Sequence, residues 1–274
     1  MKVIIPTYKR AQTVVTYITS EELADLTIID DCSPDVSAFL SESFSEYCRL
    51  NNIEVKNNSV NKGLIGNHMS IGREYHDHQL FLINDDDYVS KNDISRLQKI
   101  DSCGNARYVL SIFEKKGRGC RKIDYYKIGL CSANRFTRIF SYLFSQHDWL
   151  LHGILHGSDL CRFPGFTFFP DAPDMWGRII TFDVLLDGPI KYLPITYQYN
   201  GETSKHYKKE RRLFKVFAFL IVRISEVHVR YGMLAVRRFH LGSALIIPFA
   251  LAFSIFALVP RILLAISRRL SKRS

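Results

Sequence analysis

The sequence predicts an α/β fold with a mostly parallel β-sheet flanked by helices. Short apolar runs rich in β-branched residues, such as 3–5 and 26–29, alternate with longer segments of helical periodicity. Each run stops abruptly at a cluster of polar or acidic residues. Strands that alternate with helices form parallel sheets, in which ligands bind beside the carboxyl ends of the strands. The polar clusters are therefore expected to meet at one edge of the sheet.

The elements of the first half follow one another at short intervals. Apolar runs give the strands, and the segments between them carry apolar residues at helical spacing. An Asn/Gly loop at 61–67 opens the third helix, and a fourth apolar run leads into an acidic turn. In chain order, the predicted elements are a strand at 3–5, a helix at 11–23, a strand at 26–29, a helix near 36–44, a strand at 53–55, a helix to about 75 and a strand at 80–83.

The second half is less regular. Pro194 in its last apolar run points to an edge strand, because proline has no N–H to donate to a sheet ladder. Gly188 is a suitable C-cap for the helix before it. The predicted elements are a strand at 108–113, a basic loop at 115–122, a helix at 136–144, an aromatic strand at 163–169, a helix at 176–186 and a strand at 190–199.

Three consecutive carboxylates, Asp85, Asp86 and Asp87, follow the apolar run at 80–83. Adjacent anions repel one another by roughly 1 kcal/mol per pair even in water, and by more in a cleft. A divalent cation would relieve that repulsion. Carboxylate oxygens suit Mg²⁺ or Mn²⁺, which take their other ligands from water and substrate phosphates. A solvated acidic turn is the alternative interpretation, since Asp and Asn are common turn residues.

The basic residues are concentrated at the C-terminal end. The chain of 274 residues carries a formal charge of +10, and its 47% hydrophobic and 23% charged residues are typical of a globular protein. Residues 205–274 contain 15 Lys and Arg against Glu210 and Glu226, a net of +13, which leaves −3 for residues 1–204. This distribution predicts an anionic partner for the tail and argues against binding of nucleic acid.

An apolar segment lies inside this basic region. Residues 239–260 contain no Asp, Glu, Lys or Arg, and about 20 apolar residues suffice to cross a hydrocarbon core. Basic residues stand on both sides, which predicts attachment to an anionic membrane surface through 239–270. Pro248 and Pro260 suit a kinked or re-entrant helix as well as a span, so both arrangements stay open.

The sequence also predicts the compartment. Its six cysteines include no C-x-x-C pair, and Met1 and Lys2 are followed at once by an apolar strand and Pro6 rather than by a secretory leader. We therefore expect reduced thiols and a position on the cytoplasmic face of the inner membrane.

Four motifs in residues 1–95 together resemble those of the family 2 glycosyltransferases. The opening Val-Ile-Ile-Pro-Thr-Tyr-Lys-Arg at 3–10 is similar to the family's first strand and loop. Residues 27–35 look like its V-D-D-x-S-x-D turn, 61–67 look like its Asn-x-Gly loop, and 85–87 supply its D-x-D metal motif. The resemblance implies a GT-A fold, a nucleotide-sugar donor and inversion at the anomeric carbon.

The resemblance also implies roles for individual residues. Asp31 would accept a hydrogen bond from a uracil-like imide, and Asp30 could assist at the same turn. One of Asp85 and Asp86 would reach the ribose, and Asp86 or Asp87 would hold Mn²⁺ or Mg²⁺ on the diphosphate. The implied nucleotide-sugar residues are Pro6, Thr7, Tyr8, Arg10, Asp30, Asp31, Asn61, Gly63, Asn67, Asp85 and Asp86, and the implied metal ligands are Asp85, Asp86 and Asp87.

Two departures from the family pattern leave assignments open. Asn84 stands where many members carry the first Asp of the D-x-D motif, so the triplet is not assigned residue by residue. The family's catalytic base usually follows a Glu and precedes an aromatic residue, and the closest match is the stretch 173–176, Pro-Asp-Met-Trp. The resemblance therefore makes Asp174 the candidate base, with Asp171 and Asp148 as alternatives.

The sequence thus predicts a metal-dependent, inverting glycosyltransferase that uses a nucleotide sugar, with UDP-sugars favoured. The expected acceptor is a lipid-linked saccharide in bacterial surface polysaccharide (O-antigen or capsule) synthesis. Residues 1–204 would form the catalytic domain, with the donor bound by 1–95 and the acceptor by 96–204, and 205–274 would bind the membrane. The alternatives are a nucleotidyltransferase on a related sheet and a non-enzymatic membrane-surface binding protein.

Overall fold

The structure is a computed structural model of the chain. The predicted strand at 163–169 and nearly all of 205–274 lie outside the residues that it describes. The described residues are 1–100, 106–116, 119–123, 129–145, 149–162 and 173–199, together with 228, 229, 231, 247 and 248.

The described part of the chain contains one eight-stranded sheet. All four strands predicted for the first half are confirmed, within one or two residues at each end. The strands are β1 (Lys2–Thr7), β2 (Leu26–Asp30), β3 (Ile53–Asn57), β4 (Gln79–Leu82), β5 (Tyr108–Lys116), β6 (Gly119–Ile123), β7 (Ile154–His156) and β8 (Lys191–Tyr199).

The first four strands are parallel to one another. β1 lies between β2 and β4, and β3 pairs with the other side of β2, which gives the order β3–β2–β1–β4. In this register Thr7 at the end of β1 lies beside Asp30 at the end of β2. The polar residues that follow these strands are therefore brought to one edge, as the sequence predicts.

The second half of the sheet departs from this parallel pattern. β7 runs antiparallel to β4 and β5, β6 runs antiparallel to β5, and β8 runs parallel to β5. The predicted basic loop at 115–122 is wrong, because β5 continues to Lys116 and β6 begins at Gly119. Antiparallel strands need only a tight connection, so a hairpin fits a segment too short for a crossover helix.

Helices confirm most of the predicted helical segments. The segment near 36–44 divides into a 3₁₀ helix, Val36–Leu40, followed by an α-helix. The last helix begins at Pro173, three residues before the predicted start, where the missing proline N–H costs no hydrogen bond. The α-helices are α1 (Ala11–Ser20), α2 (Glu42–Leu50), α3 (Gly63–Glu74), α4 (Lys91–Gln98), α5 (Arg135–Ser145), α6 (Gly157–Leu160) and α7 (Pro173–Asp187).

The apolar core covers both faces of the parallel strands. Ile4 and Ile5 are neighbours in β1, so their side chains point to opposite faces, and both are fully buried. Ile28 in β2 and Phe81 in β4 are also fully buried. Burial on two faces explains why these strands are continuous apolar runs rather than alternating ones.

Glycines allow α3 and α6 to approach closely. A Cβ atom on Gly157 would overlap the carbonyl oxygen of Tyr75, and one on Gly72 would lie 2.6 Å from the carbonyl oxygen of Gly157. A larger residue at either position would push the two helices apart.

A largely buried group of ion pairs ties α6 to β5 and α7. Arg107 donates two hydrogen bonds of 2.7 Å to Asp159. Arg162 lies 2.9 Å from Asp159 and 3.0 Å from Asp183 of α7. Burial alone would raise the pKa of Asp159, but the two arginines outweigh it and hold that pKa below its usual value. The group fixes α7, and with it the first turn of that helix, relative to the sheet.

One described part of the C-terminal region packs against this fold. The ring of Tyr231 stacks on Phe182 of α7 at a centroid distance of 4.3 Å and meets Tyr142 of α5 at 6.1 Å. Tyr231 is fully buried. In the stretches of chain that the structure describes, no helix combines the length and apolar character needed to cross a bilayer.

Candidate active site

The ends of β1, β2 and β4 are joined by direct hydrogen bonds. The Asp31 N–H donates to the carbonyl oxygen of Thr7 at 2.9 Å. The Thr7 hydroxyl donates to Oδ2 of Asp85 at 3.0 Å, and the Tyr8 N–H donates to the same oxygen at 3.1 Å. Residues from three separate motifs therefore form one polar surface, as expected from the parallel order of the strands.

The turn after β2 is held rigid by its own side chains. Oδ2 of Asp30 accepts from the Ser33 N–H at 2.8 Å, and the Ser33 hydroxyl accepts from the Lys9 N–H at 2.8 Å. Asp35 accepts from the N–H of Ala11, the first residue of α1, at 3.1 Å. Asp30 is fully buried. Its hydrogen bond with Ser33 indicates that it stabilises the turn.

Asp31 is oriented by the loop that precedes α3. Its two carboxylate oxygens accept from the Lys62 N–H at 3.0 and 3.1 Å, and Oδ1 also accepts from the Asn58 amide at 2.9 Å. The same Asn58 amide donates to Asn67 at 3.0 Å. Sequence reasoning found Asp31 and Asn67 but missed Asn58, which follows β3 and so lies at the same edge of the sheet.

The Asn/Gly loop forms the entrance to α3. The Gly63 N–H donates to the side-chain oxygen of Asn61 at 2.8 Å, and both residues are exposed. Gly63 has φ +68, a conformation that favours glycine. The first N–H groups of a helix have no partner within it. At this entrance the Lys62 N–H is taken by Asp31 and the Gly63 N–H by Asn61, so an anionic ligand would bind the N–H groups that follow them.

Arg10 lies between two carboxylates of the acidic turn. Its Nη1 is 3.0 Å from Oδ2 of Asp86 and 3.4 Å from Oδ1 of Asp85. Burial raises the pKa of Asp85, although the Tyr8 N–H, the charge of Arg10 and the Thr7 hydroxyl all act in the opposite direction. A nearby cation stabilises the ionised form of a buried carboxylate of this kind.

Asp87 turns toward the second half of the sheet. Its Oδ2 accepts from the Tyr197 hydroxyl at 2.7 Å and from the Asn84 amide at 2.9 Å, and it lies 3.8 Å from Nδ1 of His152. Burial, together with the charge of Asp87, raises the pKa of Tyr197 well above its usual value. Tyr197 thus stays a hydrogen-bond donor, and sequence reasoning missed it because it lies on β8, far along the chain.

A buried histidine and a buried tryptophan meet between α3 and α7. His68 of α3 meets Trp176 of α7 edge to face, with centroids 5.8 Å apart. Burial lowers the pKa of His68, so its ring is neutral near neutral pH. Trp176 is fully buried, and the contact between these two rings packs α3 against α7.

The three acidic side chains differ in what they face. Asp85 and Asp86 both face the charge of Arg10, whereas Asp87 is bound to Tyr197. In the ranges that the structure describes, no three His, Cys, Asp or Glu side chains are arranged to hold a metal. Two carboxylates suffice for Mg²⁺ or Mn²⁺ when substrate phosphates complete the shell. The assignment of individual ligands stays a prediction.

Of the three candidates for the catalytic base, only Asp174 lies within the described residues. Asp174 is the second residue of α7, so its backbone lies in the first turn of a helix that the Arg162 ion pairs fix in place. The alternatives Asp171 and Asp148 lie outside the described residues. The role of all three remains a prediction.

Comparison with known proteins identifies the family. A sequence model described as Glycosyl transferase family 2 matches residues 2–162, the part that contains the four strand ends and the acidic turn. The chain belongs to this family. No curated protein sequence matches it significantly.

Solved structures share the fold at low sequence identity. S. aureus TarS 1-349 in complex with UDP-GlcNAc aligns with a TM-score of 0.53 and 15% identity over 87% of this chain and 73% of that one. A longer S. aureus TarS aligns with a TM-score of 0.52 and 17% identity over 87% of this chain and 44% of that one. The mannosyltransferase PcManGT from Pyrobaculum calidifontis, solved with GDP-Man and Mn²⁺, gives a TM-score of 0.49 and 13% identity, covering 98% and 79% of the two chains. The TarS likeness establishes a GT-A-like fold.

Family membership settles the reaction class. The protein is a nucleotide-sugar-dependent glycosyltransferase. This confirms the predicted enzyme and excludes the non-enzymatic binding protein and the nucleotidyltransferase as descriptions of the domain.

Proposed function

We propose that the protein transfers a sugar from a UDP-sugar to a hydroxyl acceptor with inversion at the anomeric carbon. The observation that carries this proposal is the joining of the β1, β2 and β4 ends around Asp31, Asp85 and Asp86. A nucleobase and a metal can each be bound by a carboxylate, whereas a diphosphate needs a positive charge. This edge offers Asp31, Asp85 and Asp86 for the first two and Arg10 for the third.

The nucleotide would lie across the ends of β1 and β2. Asp31 receives two donors through three hydrogen bonds, and an ionised carboxylate offers about four acceptor sites. One site is left for the N–H of a uracil-like imide. Pro6, Thr7 and Tyr8 would form the wall on the β1 side. S. aureus TarS, which shares the fold, was solved in complex with UDP-GlcNAc, so UDP-sugars are the first donors to test.

The diphosphate would lie between the α3 entrance and the acidic turn. Asn61 and Gly63 present the helix entrance, and Arg10 supplies a positive charge. Asp85 and Asp86 would hold Mn²⁺ or Mg²⁺, with Asp87 as the further predicted ligand. The cation would stabilise the negative charge that develops on the leaving diphosphate.

The acceptor would be activated from the α7 side. Asp174 would remove the proton of the acceptor hydroxyl as its oxygen attacks the anomeric carbon. The attack comes from the face opposite the diphosphate, so the C–O bond to the acceptor forms as the bond to the diphosphate breaks. A single displacement of this kind inverts the anomeric configuration.

We also propose that the acceptor is a lipid-linked saccharide in bacterial surface polysaccharide synthesis. The support is the charge of +13 in residues 205–274 around the apolar segment 239–260. A basic and apolar tail would hold the enzyme at the cytoplasmic face of the inner membrane, beside an acceptor that is itself anchored there.

Slow hydrolysis of the donor tests the proposed reaction without knowledge of the acceptor. The protein is incubated with Mn²⁺ and UDP-GlcNAc, UDP-glucose or UDP-galactose, and the first sugar released is observed by proton NMR before it mutarotates. Inversion of an α-linked donor predicts the β-sugar. Asp174→Asn is expected to reduce the rate by about 100-fold or more, since positioned general bases contribute about 10²- to 10⁴-fold.

Asp77→Asn is the control, because the Asp77 side chain is 91% exposed and lies outside the site; it should leave the rate unchanged. Release of the α-sugar would contradict inversion, and an undiminished rate in Asp174→Asn would remove that residue from its proposed role.

A further inference from the structure

The acidic turn already contains a cation of its own. Nη1 of Arg10 bridges Asp86 and Asp85 at 3.0 and 3.4 Å. The exposed fractions of the three side chains are 30% for Arg10, 16% for Asp85 and 13% for Asp86. A guanidinium stays charged at every physiological pH. Arg10 therefore neutralises part of the repulsion within the turn when no ligand is bound.

A divalent cation would compete for the same oxygens. Mg²⁺ binds carboxylate oxygens at about 2.0–2.1 Å, so a metal on Oδ2 of Asp86 would stand close to the guanidinium that now contacts that oxygen. Two cations at such a distance repel each other strongly in a partly buried site. Metal binding thus requires Arg10 to move or to gain an anion beside it.

Asp85 has partners other than Arg10. Asp85 is also held by the Thr7 hydroxyl and by the Tyr8 N–H. Arg10 is the residue before α1, and its side chain is not used to cap that helix. Its guanidinium is therefore able to turn toward a phosphate, with which it forms paired hydrogen bonds, while Thr7 and Tyr8 continue to hold Asp85.

We infer that Arg10 is an internal counter-ion that competes with the divalent cation for Asp85 and Asp86, so that tight metal binding requires a diphosphate to draw Arg10 away. This inference rests on the proposed nucleotide-sugar function. It also predicts the order of binding: the cation binds together with the diphosphate rather than before it.

Direct titration with Mn²⁺, followed by electron paramagnetic resonance of the free ion, tests this inference. In the absence of nucleotide, Arg10→Gln is expected to bind Mn²⁺ about tenfold more tightly than the wild type, because the variant lacks the positive charge that competes for the same carboxylates. Arg10→Lys keeps the charge and should resemble the wild type.

Lys9→Gln is the matched control. It removes the same charge from the neighbouring residue, but Nζ of Lys9 lies over the Tyr8 ring at 4.9 Å from its centroid and makes no described contact with the carboxylates. Its Mn²⁺ affinity should stay within about twofold of the wild type, since a solvent-exposed charge is strongly screened. A far-UV spectrum of each variant confirms that it is folded.

A second titration in the presence of UDP separates this inference from the proposed function. UDP should raise the Mn²⁺ affinity of the wild type by a larger factor than that of Arg10→Gln, which has no counter-ion to displace. Equal Mn²⁺ affinities of the wild type and Arg10→Gln without nucleotide, or no binding by Arg10→Gln in the millimolar range, overturn the inference even if UDP binds. Failure of UDP to bind either protein instead overturns the proposed function, while the titration without nucleotide still reports on Arg10.

Discussion

The three carboxylates of the acidic turn are neighbours in sequence but have different surroundings. Asp85 faces the β1 loop, Asp86 faces Arg10, and Asp87 faces Tyr197 of β8. Burial raises the pKa of Asp85, so its negative charge costs stability in the folded chain once it is ionised. A bound cation would remove that cost, which explains why a site of this kind is unfavourable when empty and suited to a charged ligand.

Sequence reasoning predicted that the polar ends of β1, β2 and β4 meet at this edge, because strand ends of a parallel sheet must converge. It could not predict what each of them contacts. The hydrogen bond from Tyr197 to Asp87 joins residues that are 110 positions apart, and it depends on how β8 pairs with β5. The bridge between Arg10 and the acidic turn likewise depends on a rotamer, which no motif specifies.

Left-handed backbone at Cys32 is a second feature that a motif alone did not reveal. Cys32 has φ +61 and is exposed in the turn after β2. Residues with a Cβ pay about 1–2 kcal/mol for this conformation. The hydrogen bond from Ser33 to Asp30 within the turn, and that from Lys9 of the β1 loop to the Ser33 hydroxyl, offset that cost.

At the scale of the elements, the four parallel strands and most helices were predictable, whereas α4, α6, β7 and the pairing of β5 with β6 were not. Continuous apolar runs identify strands covered on both faces, and helical spacing identifies α1, α3 and α5. The segment 115–122 is basic and contains glycine, so it lacks both signals, yet its described residues form the facing ends of β5 and β6. The strand structure there comes from the pairing of β5 with β6 rather than from local residue preferences.

The close approach of α3 and α6 predicts a position-specific effect of glycine substitution. Gly157→Ala is expected to lower the free energy of unfolding by about 1–3 kcal/mol, because the new methyl group overlaps the Tyr75 carbonyl oxygen. Gly188→Ala is the control, since a Cβ there meets no atom within 4 Å. Urea unfolding followed by circular dichroism measures both, and equal stability of the two variants would contradict the described packing.

At the scale of the whole molecule, the C-terminal region contributes a buried residue to the fold and carries the net positive charge of the chain. Tyr231 is buried against α5 and α7, so part of this region is joined to the helix that carries the candidate base. The predicted boundary at 204 and the membrane attachment through 239–270 stay predictions, and their support is the distribution of charge and apolar residues.

Cosedimentation with lipid vesicles tests the membrane attachment. The full chain is expected to bind vesicles that contain phosphatidylglycerol, and a variant with four C-terminal basic residues changed to Gln should bind at least about tenfold more weakly, because each well-placed charge contributes about 1 kcal/mol. A control with four exposed basic residues of the domain changed to Gln should bind like the wild type. The C-terminal positions are Arg268, Arg269, Lys272 and Arg273, and the control positions are Arg49, Lys91, Arg96 and Lys122.

Equal binding of the two variants would contradict attachment through the C-terminal charges. If the full chain bound neutral vesicles as strongly as vesicles that contain phosphatidylglycerol, attachment would be assigned to the apolar segment alone.

The most direct test of the nucleotide site is calorimetric titration with UDP, GDP and dTDP in the presence of Mn²⁺. We expect UDP to bind, and Asp31→Asn to weaken that binding by roughly 10- to 100-fold, since a hydrogen bond to a charged group is worth about 1.5–3 kcal/mol. Asp77→Asn should bind UDP like the wild type. Failure of all three diphosphates to bind the folded protein, or equal affinity of Asp31→Asn and Asp77→Asn for UDP, would contradict the placement of the nucleotide at the ends of β1, β2 and β4.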